Sequence, residues 1–509
     1  MTPSEAATPY LNTGLLGSLP SSVAAPSYDR TRLTTGIVHF GLGNFHRSHQ
    51  AMYLDALLRS GDALGWGICG IGVTPVSATM RDALHPQDLL YTLIVKQPDG
   101  AAETRVIGSL NGYLYSRDDP EAAVARIADP ATCIVSLTVT EGGYALDDAT
   151  REFNGEDALV EADLQAQVPS ASWVGLLLRA MQKRRAEGVG GLTLLSCDNL
   201  EHNGAAARAA FLGFAQAKDP AIVPWLEEAV AFPSSMVDRV TPATTSEDRD
   251  YLPRHFGYRD RWPVPCEPFT QWVLEDSFAR GRPRLEEVGV QIVADVEPYE
   301  LMKIRLANAT HQALCYFGHL LGHTYVHEAV ADADIHALLI RYIDEEAVPT
   351  LAPIPDVDPR QWGRTVLARF ANPQIRDRLE RICEDGSDRI PKFLLPVARF
   401  HVRDGGPVAT TAAVVASWAR YAIGVDEQGQ PIEVRDRRRE TVMAAARHDA
   451  VQPGAFIEDE AMFGDLAESN RFREAYVGAA ATLRRDGARA LLRAIASGDH
   501  SAALAARER

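Results

Sequence analysis

Residues 36–49 read Gly36-Ile-Val-His-Phe-Gly-Leu-Gly-Asn-Phe-His-Arg-Ser-His49. An apolar run of strand length enters a glycine turn and continues into sequence that can form a helix. Gly41 and Gly43 fit the first two glycines of a dinucleotide fingerprint. The first permits a tight turn, and the second lets the backbone approach a pyrophosphate at the N-terminus of the next helix. Asn44, Phe45 and Arg47 follow directly and join the two glycines as candidate cofactor-binding residues. His46 stands where a third glycine would let helix and strand pack closely. The alternative is an ordinary strand–turn–helix corner.

A second mark of the fingerprint is an acid about 20 residues on, which binds the adenosine ribose. The second strand ends Gly72-Val-Thr-Pro-Val-Ser77, with no acid. Ser77 can bind a hydroxyl, and Arg81 is close enough in sequence to receive a 2′-phosphate. The choice between NAD and NADP stays open on these residues.

Outward from this turn, apolar runs of strand length alternate with helical patterns from Gly36 to about Pro265. Strands are expected at Gly36–Phe40, Gly67–Gly72, Thr132–Thr140 and Gly191–Cys197, with an amphipathic helix at Trp173–Glu187. That alternation implies a mainly parallel sheet with covered faces. Beyond about Gln291 the segments 298–321, 333–347, 360–370, 373–384, 408–422, 437–448 and 470–497 read as helices. The expected fold is α/β: a Rossmann-like dinucleotide-binding domain over 1–292 and a mainly α-helical substrate-binding and catalytic domain over 293–509.

Composition narrows the class. The chain has 509 residues, 46% of them apolar, and a net charge of −17. A nucleic-acid binder needs a basic face, so small ligands are the expected partners. The start shows no basic segment followed by an apolar one, and no run reaches the roughly 18 apolar residues that span a bilayer. The six cysteines, at 69, 133, 197, 266, 315 and 383, form no CxxC pair. They read as buried thiols of a soluble, cytoplasmic protein.

Only five of the 51 basic residues are lysine, at 96, 183, 218, 303 and 392. Where only positive charge is wanted this chain has arginine, so a lysine in apolar surroundings stands out. Lys303 opens Lys303-Ile-Arg-Leu-Ala-Asn-Ala-Thr-His311. On an α-helix His311 lies about 80° and Asn308 about 140° around from Lys303, so all three can face one cleft. A lysine among apolar groups loses its proton more readily and can act as a general base. An asparagine amide can donate to an alkoxide as it forms, and a histidine can orient a hydroxyl. The alternative is a solvated lysine and a core histidine on an ordinary helix.

With these stretches in view the chain resembles the long-chain polyol dehydrogenase family. The resemblance covers about 35–400 and rests on GLGNFHRSHQAMYLD (41–55), SLTVTEGGY (136–144), LSCDNLEHNG (195–204), MVDRVTPATT (236–245), KIRLANATH (303–311) and TYVHE (324–328). The fourth and sixth stretches are most similar to the mannitol 2-dehydrogenase branch. The resemblance implies an oxidoreductase that interconverts a polyol and a ketose of the mannitol/fructose type by hydride transfer to NAD, or NADP, without a metal. It implies that Lys303 is the catalytic lysine, that Asn199 and Asn308 cradle the reacting oxygen, and that His311 orients the substrate. Asp238, Arg381 and Glu141 are implied on the substrate side. Asn199 also follows an apolar strand at its carboxyl end, where ligands of open α/β sheets bind. The family's usual acid after the second strand is replaced here by Val76 and Ser77. A monomer is expected by the same resemblance.

Three alternatives are kept. One is a fructuronate- or tagaturonate-type keto-uronate reductase, whose carboxylate substrate would want a cation from Arg305, Arg381, Arg389 or Lys392. Another is an arabinitol dehydrogenase of the same family. The third is a non-catalytic nucleotide-binding sensor, which has no need of Lys303 and two asparagines. As metal ligands, His319, His323 and His327 would line one helical face and His46 and His49 form a close pair, but no cysteine lies at ligand spacing beside them; packing or solvation is the expected role. Cys197 is expected to be a buried thiol rather than a nucleophile.

Overall fold

The computed structural model describes residues 8–61, 63–147 and 150–497. The chain divides into two compact units, Met1–Glu297 and Pro298–Arg509.

The first unit is built on a six-stranded sheet: β1 (Thr35–Phe40), β2 (Gly67–Gly72), β3 (Leu110–Tyr115), β4 (Ile134–Leu137), β5 (Leu192–Ser196) and β6 (Val230–Ala231). The spatial order is β3-β2-β1-β4-β5-β6, and every neighbouring pair is parallel. This is the doubly wound arrangement, in which strand order reverses beside β1 and opens a crevice at the strands' carboxyl ends. The sequence shows why the sheet is covered on both faces. β2 and β5 are buried at every position, as near-continuous apolar runs in parallel sheets are. Helix Trp173–Glu187 covers one face where expected, with the Ser172 hydroxyl accepting Gly175 N–H as its N-cap. Two smaller sheets complete the unit: Val23–Ala24, Ala102–Ile107, Tyr91–Lys96 and Val264–Cys266 in one, and Ser235–Asp238, Gln271–Glu275 and Gln291–Val293 in the other.

Every described element of the second unit is helical apart from isolated bridges. Helices Ala309–Leu320 and Ala409–Ala422 are apolar nearly all round and form its interior. Four expected helices need correction. Segments 298–321 and 333–347 are interrupted by π-helical turns at Ile304–Asn308 and Tyr342–Ala347. Segment 470–497 is two helices, Asn470–Asp486 and Ala488–Ser497, parted at Gly487 with a φ of +83°. Segment 373–384 is helical only over Leu379–Cys383, because Arg376 takes a positive φ of 50°. Among the described residues no helix is long and apolar enough to cross a membrane.

Arg184 fixes the amino-terminal end of the large sheet. Its fully buried guanidinium donates to the carbonyls of Gly190, Gly191, Ile127, Asp129 and Thr132 at 2.7–3.2 Å. Arg184→Met keeps the stem and strands those acceptors. Each buried, unsatisfied group costs about 1–3 kcal/mol, so about 3 kcal/mol or more of stability should be lost. Denaturant midpoints of the two proteins measure this, and an unchanged midpoint would contradict it.

Candidate active site

The glycine turn after β1 is shaped by its neighbours. Gly41 has a φ of +88°, and a Cβ there would sit 2.0 Å from the Thr138 carbonyl, so no other residue fits. The Thr138 hydroxyl donates back to Gly41 O at 2.8 Å. Gly43 faces the other way: a Cβ there would meet only Gly41 O, at 3.7 Å, so the backbone is open to close approach. Helix Asn44–Ser48 starts immediately beyond it. His46, at the third glycine's place, is buried and stacks on His39 with ring centroids 3.6 Å apart. The His39 ring lies between Ser136 Oγ (2.8 Å) and Thr138 Oγ1 (2.9 Å). Burial pushes the His39 imidazole down to about 3 and His46 well below its usual range, so both are neutral spacers between helix and sheet.

Two of the expected cofactor contacts turn inward. Arg47 is fully buried and donates to Trp262 O (2.6 Å), Asn44 Oδ1 (2.7 Å) and Gly43 O (3.4 Å). Asn44 Nδ2 donates to Pro242 O and Thr244 Oγ1 at 3.3 and 3.2 Å. These side chains brace the turn, leaving its backbone as the part that faces outward. The Phe45 ring stacks on His49 at 5.0 Å. At the end of β2, Ser77 lies in the first turn of helix Pro75–Leu84, its hydroxyl 3.1 Å from Thr74 Oγ1. Arg81, the other sequence suggestion for this region, is already paired with Asp82 and Asp118.

The strand ends that follow are tied together by residues that sequence reading passed over. Buried Asp198 accepts Val139 N–H (3.0 Å), Thr140 N–H (2.9 Å) and the Tyr144 hydroxyl (2.7 Å). Burial pushes its carboxyl up, and those hydrogen bonds pull it back. Thr140 has a positive φ of 65° and leads into the short turn Glu141–Tyr144. Asn203 donates to Asp198 O (3.1 Å) and Ser235 O (2.7 Å), joining β5 to strand Ser235–Asp238. Asn199 is thereby held exposed just past the carboxyl end of β5, and Asp238 ends the neighbouring strand, buried. Asp198 and Asn203 lie in a polar stretch just past the apolar run of β5, and nothing in that stretch marks which of its polar residues turn inward. Cys197 is buried, and burial pushes its thiol well up, which suits an inert core residue.

In the second unit Lys303, Asn308 and His311 lie on one continuous helical path, Glu297–Lys303, the π-helical turn Ile304–Asn308 and helix Ala309–Leu320. Ala309 N–H donates to Ile304 O, five residues back. That turn matters for aim. Side chains four and seven residues on share an α-helical face. Asn308 and His311 are five and eight residues on from Lys303, and the one residue absorbed by the π turn restores the shared face. Lys303 is only 9% exposed. His311 stacks on Phe370 at 3.7 Å. Glu300, one helical turn before Lys303, is also buried and went unremarked in the sequence because one acid in a helix carries no pattern. Arg381 is gripped by Asp377 through two nitrogens, at 2.8 and 2.5 Å.

The histidine groups go to separate partners. The helix carrying His319 ends at Leu320, and Gly322, with a φ of +86°, turns the chain away before His323. His319 packs on Tyr421, His323 lies 3.4 Å from Asp332, and His327 stacks on Tyr325. Among the described residues no three His, Cys, Asp or Glu side chains are grouped to hold a metal ion.

Asp198→Ala would leave two backbone N–H groups without their acceptor, at about 1–3 kcal/mol each if they stay buried, while the Tyr144 hydroxyl keeps Ser196 Oγ at 2.6 Å. Hydrogen exchange at Val139 and Thr140 should accelerate while that at β1 stays slow. Equal exchange in both proteins would contradict the anchoring role.

Comparison with known proteins agrees with this architecture. The sequence models for the mannitol dehydrogenase Rossmann domain and the mannitol dehydrogenase C-terminal domain match residues 35–287 and 295–483. A mannitol 2-dehydrogenase of Phaeosphaeria nodorum is 42% identical over 492 residues, 96% of this chain and 86% of its own. The structure of Pseudomonas fluorescens mannitol 2-dehydrogenase, a ternary complex with NAD and D-mannitol, aligns with a TM-score of 0.87 at 40% identity, covering 96% of this chain and 99% of that one. A substrate-free D-sorbitol dehydrogenase aligns at 0.85 and 36% identity, over 95% of this chain and 100% of its own. The chain belongs to the mannitol dehydrogenase family.

Proposed function

We propose that this protein is an NAD-dependent polyol dehydrogenase of the mannitol 2-dehydrogenase type, oxidising a secondary alcohol of a sugar alcohol to a ketose and catalysing the reverse reduction. The observation that carries the chemistry is a buried lysine sharing one helical face with an asparagine and a histidine. The P. fluorescens relative solved with NAD and D-mannitol supports the choice of coenzyme and substrate.

The residues present fit a dinucleotide. The Gly41–Gly43 turn sits at the carboxyl end of β1, beside the reversal of strand order, and a Cβ at Gly43 would meet nothing but Gly41 O. The backbone of Gly43, Asn44 and Phe45 would hold the pyrophosphate, with Arg47 and the Asn44 side chain keeping the turn rigid from inside. When bound, NAD supplies the hydride acceptor. Lys303, buried on the helix one turn past Glu300, takes the hydroxyl proton. Asn308 donates its amide to the alkoxide as charge develops, and Asn199 offers the same donor chemistry from the end of β5. His311, its ring fixed against Phe370, orients the hydroxyl. Asp238, Glu141 and Arg381 serve the substrate side, and Asp377 fixes the direction of the Arg381 fork.

A neutral polyol is favoured over a keto-uronate because the cations proposed for a carboxylate already have partners that take up their charge or their donors. Arg305 donates to Thr350 O, Arg389 donates to the carbonyls of Arg381 and Ile382, Lys392 is 2.7 Å from Asp388, and the charge of Arg381 is balanced by Asp377, which leaves it a hydrogen-bond donor to a hydroxyl rather than a free cation. A sensor would not need the Lys303 face. The scattered histidines among the described residues support a reaction without a metal, with amide donors in place of a Lewis acid. Six free thiols suit a reducing compartment, which supports a cytoplasmic enzyme.

The wild-type protein should turn over NAD with D-mannitol or D-arabinitol and should reduce fructuronate poorly. Lys303→Ala should lower kcat by about 10²–10⁴-fold, the usual share of acid–base catalysis, while NADH binding measured by fluorescence is retained. Near wild-type turnover in the variant at neutral pH would sink the assignment. Prolonged EDTA treatment should leave activity intact, and a loss restored by zinc would overturn the metal-free reading.

A further inference from the structure

We infer that the coenzyme site also accepts the 2′-phosphorylated dinucleotide NADP, and that Arg117 is the residue that holds the phosphate. The inference rests on the dinucleotide reading above and concerns only its adenosine end. In a doubly wound sheet the carboxyl end of β2 lies by the adenosine ribose. A carboxylate there binds the 2′-hydroxyl, whereas an arginine there accommodates a 2′-phosphate.

No acid follows β2: the chain runs Val73, Thr74, Pro75, Val76, Ser77. Val76 is 69% exposed and uncharged. The cation comes instead from the neighbouring strand. Arg117, two residues past the end of β3, donates from Nε to the Val73 carbonyl at 3.0 Å. That bond pins the guanidinium to the end of β2. The residue is exposed, and its two Nη groups have no protein partner among the described residues. They form the planar fork that suits a phosphate. Two hydroxyls stand at the same strand end. Ser77 Oγ is 3.1 Å from Thr74 Oγ1 and lies so close over Gly72 that a Cβ there would come within 2.7 Å of it. Of the acids in the adjoining helix and loop, Asp82 and Asp118 are both held by Arg81, and Asp119 accepts Ala122 N–H as the cap of helix Pro120–Ala128. Arg81 is therefore shared between two carboxylates, which leaves Arg117 as the open cation. The hydroxyls still serve an unphosphorylated ribose, so NAD is accepted as well.

Titration calorimetry with 2′,5′-ADP and with 5′-AMP, which differ only in the 2′-phosphate, reads the site without turnover. The wild-type protein should bind 2′,5′-ADP more tightly than 5′-AMP, with the difference shrinking as salt is raised. Arg117→Ala should weaken 2′,5′-ADP by about tenfold or more, the value of a hydrogen bond to a charged group, and leave 5′-AMP unchanged. Arg117→Lys, a charge without the fork, should recover part of the loss. In turnover, kcat/KM for NADP should fall with Arg117→Ala while that for NAD does not. If 2′,5′-ADP binds no better than 5′-AMP, or Arg117→Ala weakens both alike, the inference is wrong although NAD use stands. If neither nucleotide binds and NAD is not turned over, the dinucleotide reading itself falls.

Discussion

The hydrogen bond from Ala309 N–H to the Ile304 carbonyl, five residues back instead of four, is the constraint on which the shared face of Lys303, Asn308 and His311 depends. It takes up one residue of the spacing between Lys303 and the pair Asn308 and His311. Such turns are rare in helices and gather at functional sites. This one is not left to stand alone. The Tyr342 hydroxyl donates to Arg305 O at 3.2 Å, and Arg305 donates to Thr350 O. Two further π-helical turns, Tyr342–Ala347 and Ile390–Leu394, pack against the first. The first of these carries Glu346, a fully buried carboxylate that accepts Thr410 and Thr411 N–H at 2.7 and 2.9 Å and so caps helix Ala409–Ala422. The irregular turns are thus joined, bond by bond, to the most buried helices of the unit.

The nucleotide-binding unit uses a different device for the same end. Three buried arginines, Arg47, Arg184 and Arg239, spend their guanidinium groups on backbone carbonyls. Arg47 braces the glycine turn, Arg239 reaches Ser48 O at the end of the short helix after it, and Arg184 gathers the opposite, amino-terminal end of the sheet. An arginine offers several donors in a fixed plane, which suits loops that must satisfy many carbonyls at once. The turn is held from inside while the space a Cβ of Gly43 would take stays open, which permits close approach of a pyrophosphate. Asp198 does the complementary work for N–H groups, fixing the loop beyond β4 beside Asn199.

Much of this could be read in the sequence because the relevant signals are local. The turn at Gly41 and Gly43, the strand Gly67–Gly72 and the helix Trp173–Glu187 depend on residues within a few positions of one another. Lys303, Asn308 and His311 were legible as residue types able to face one cleft, but the π turn that brings them closer to a common face was not, since hydrophobic periodicity does not register one extra residue in a helix. The inward course of Arg47 was hidden because its acceptor at Trp262 is 215 residues away. Arg81 looked available because Asp118 lies 37 residues on, past the intervening strands. Segment 373–384 is broken by the positive φ of Arg376, which no local pattern announces.

The central claim is that the Lys303 amine is the proton acceptor on the face that the π turn creates. The direct measurement is turnover of Lys303→Ala with NAD and D-mannitol in the presence of small primary amines across a range of pH. The account predicts that activity returns in proportion to the concentration of the amine's free-base form, with more basic amines more effective. A folded, NADH-binding variant whose residual rate is indifferent to every amine would contradict it.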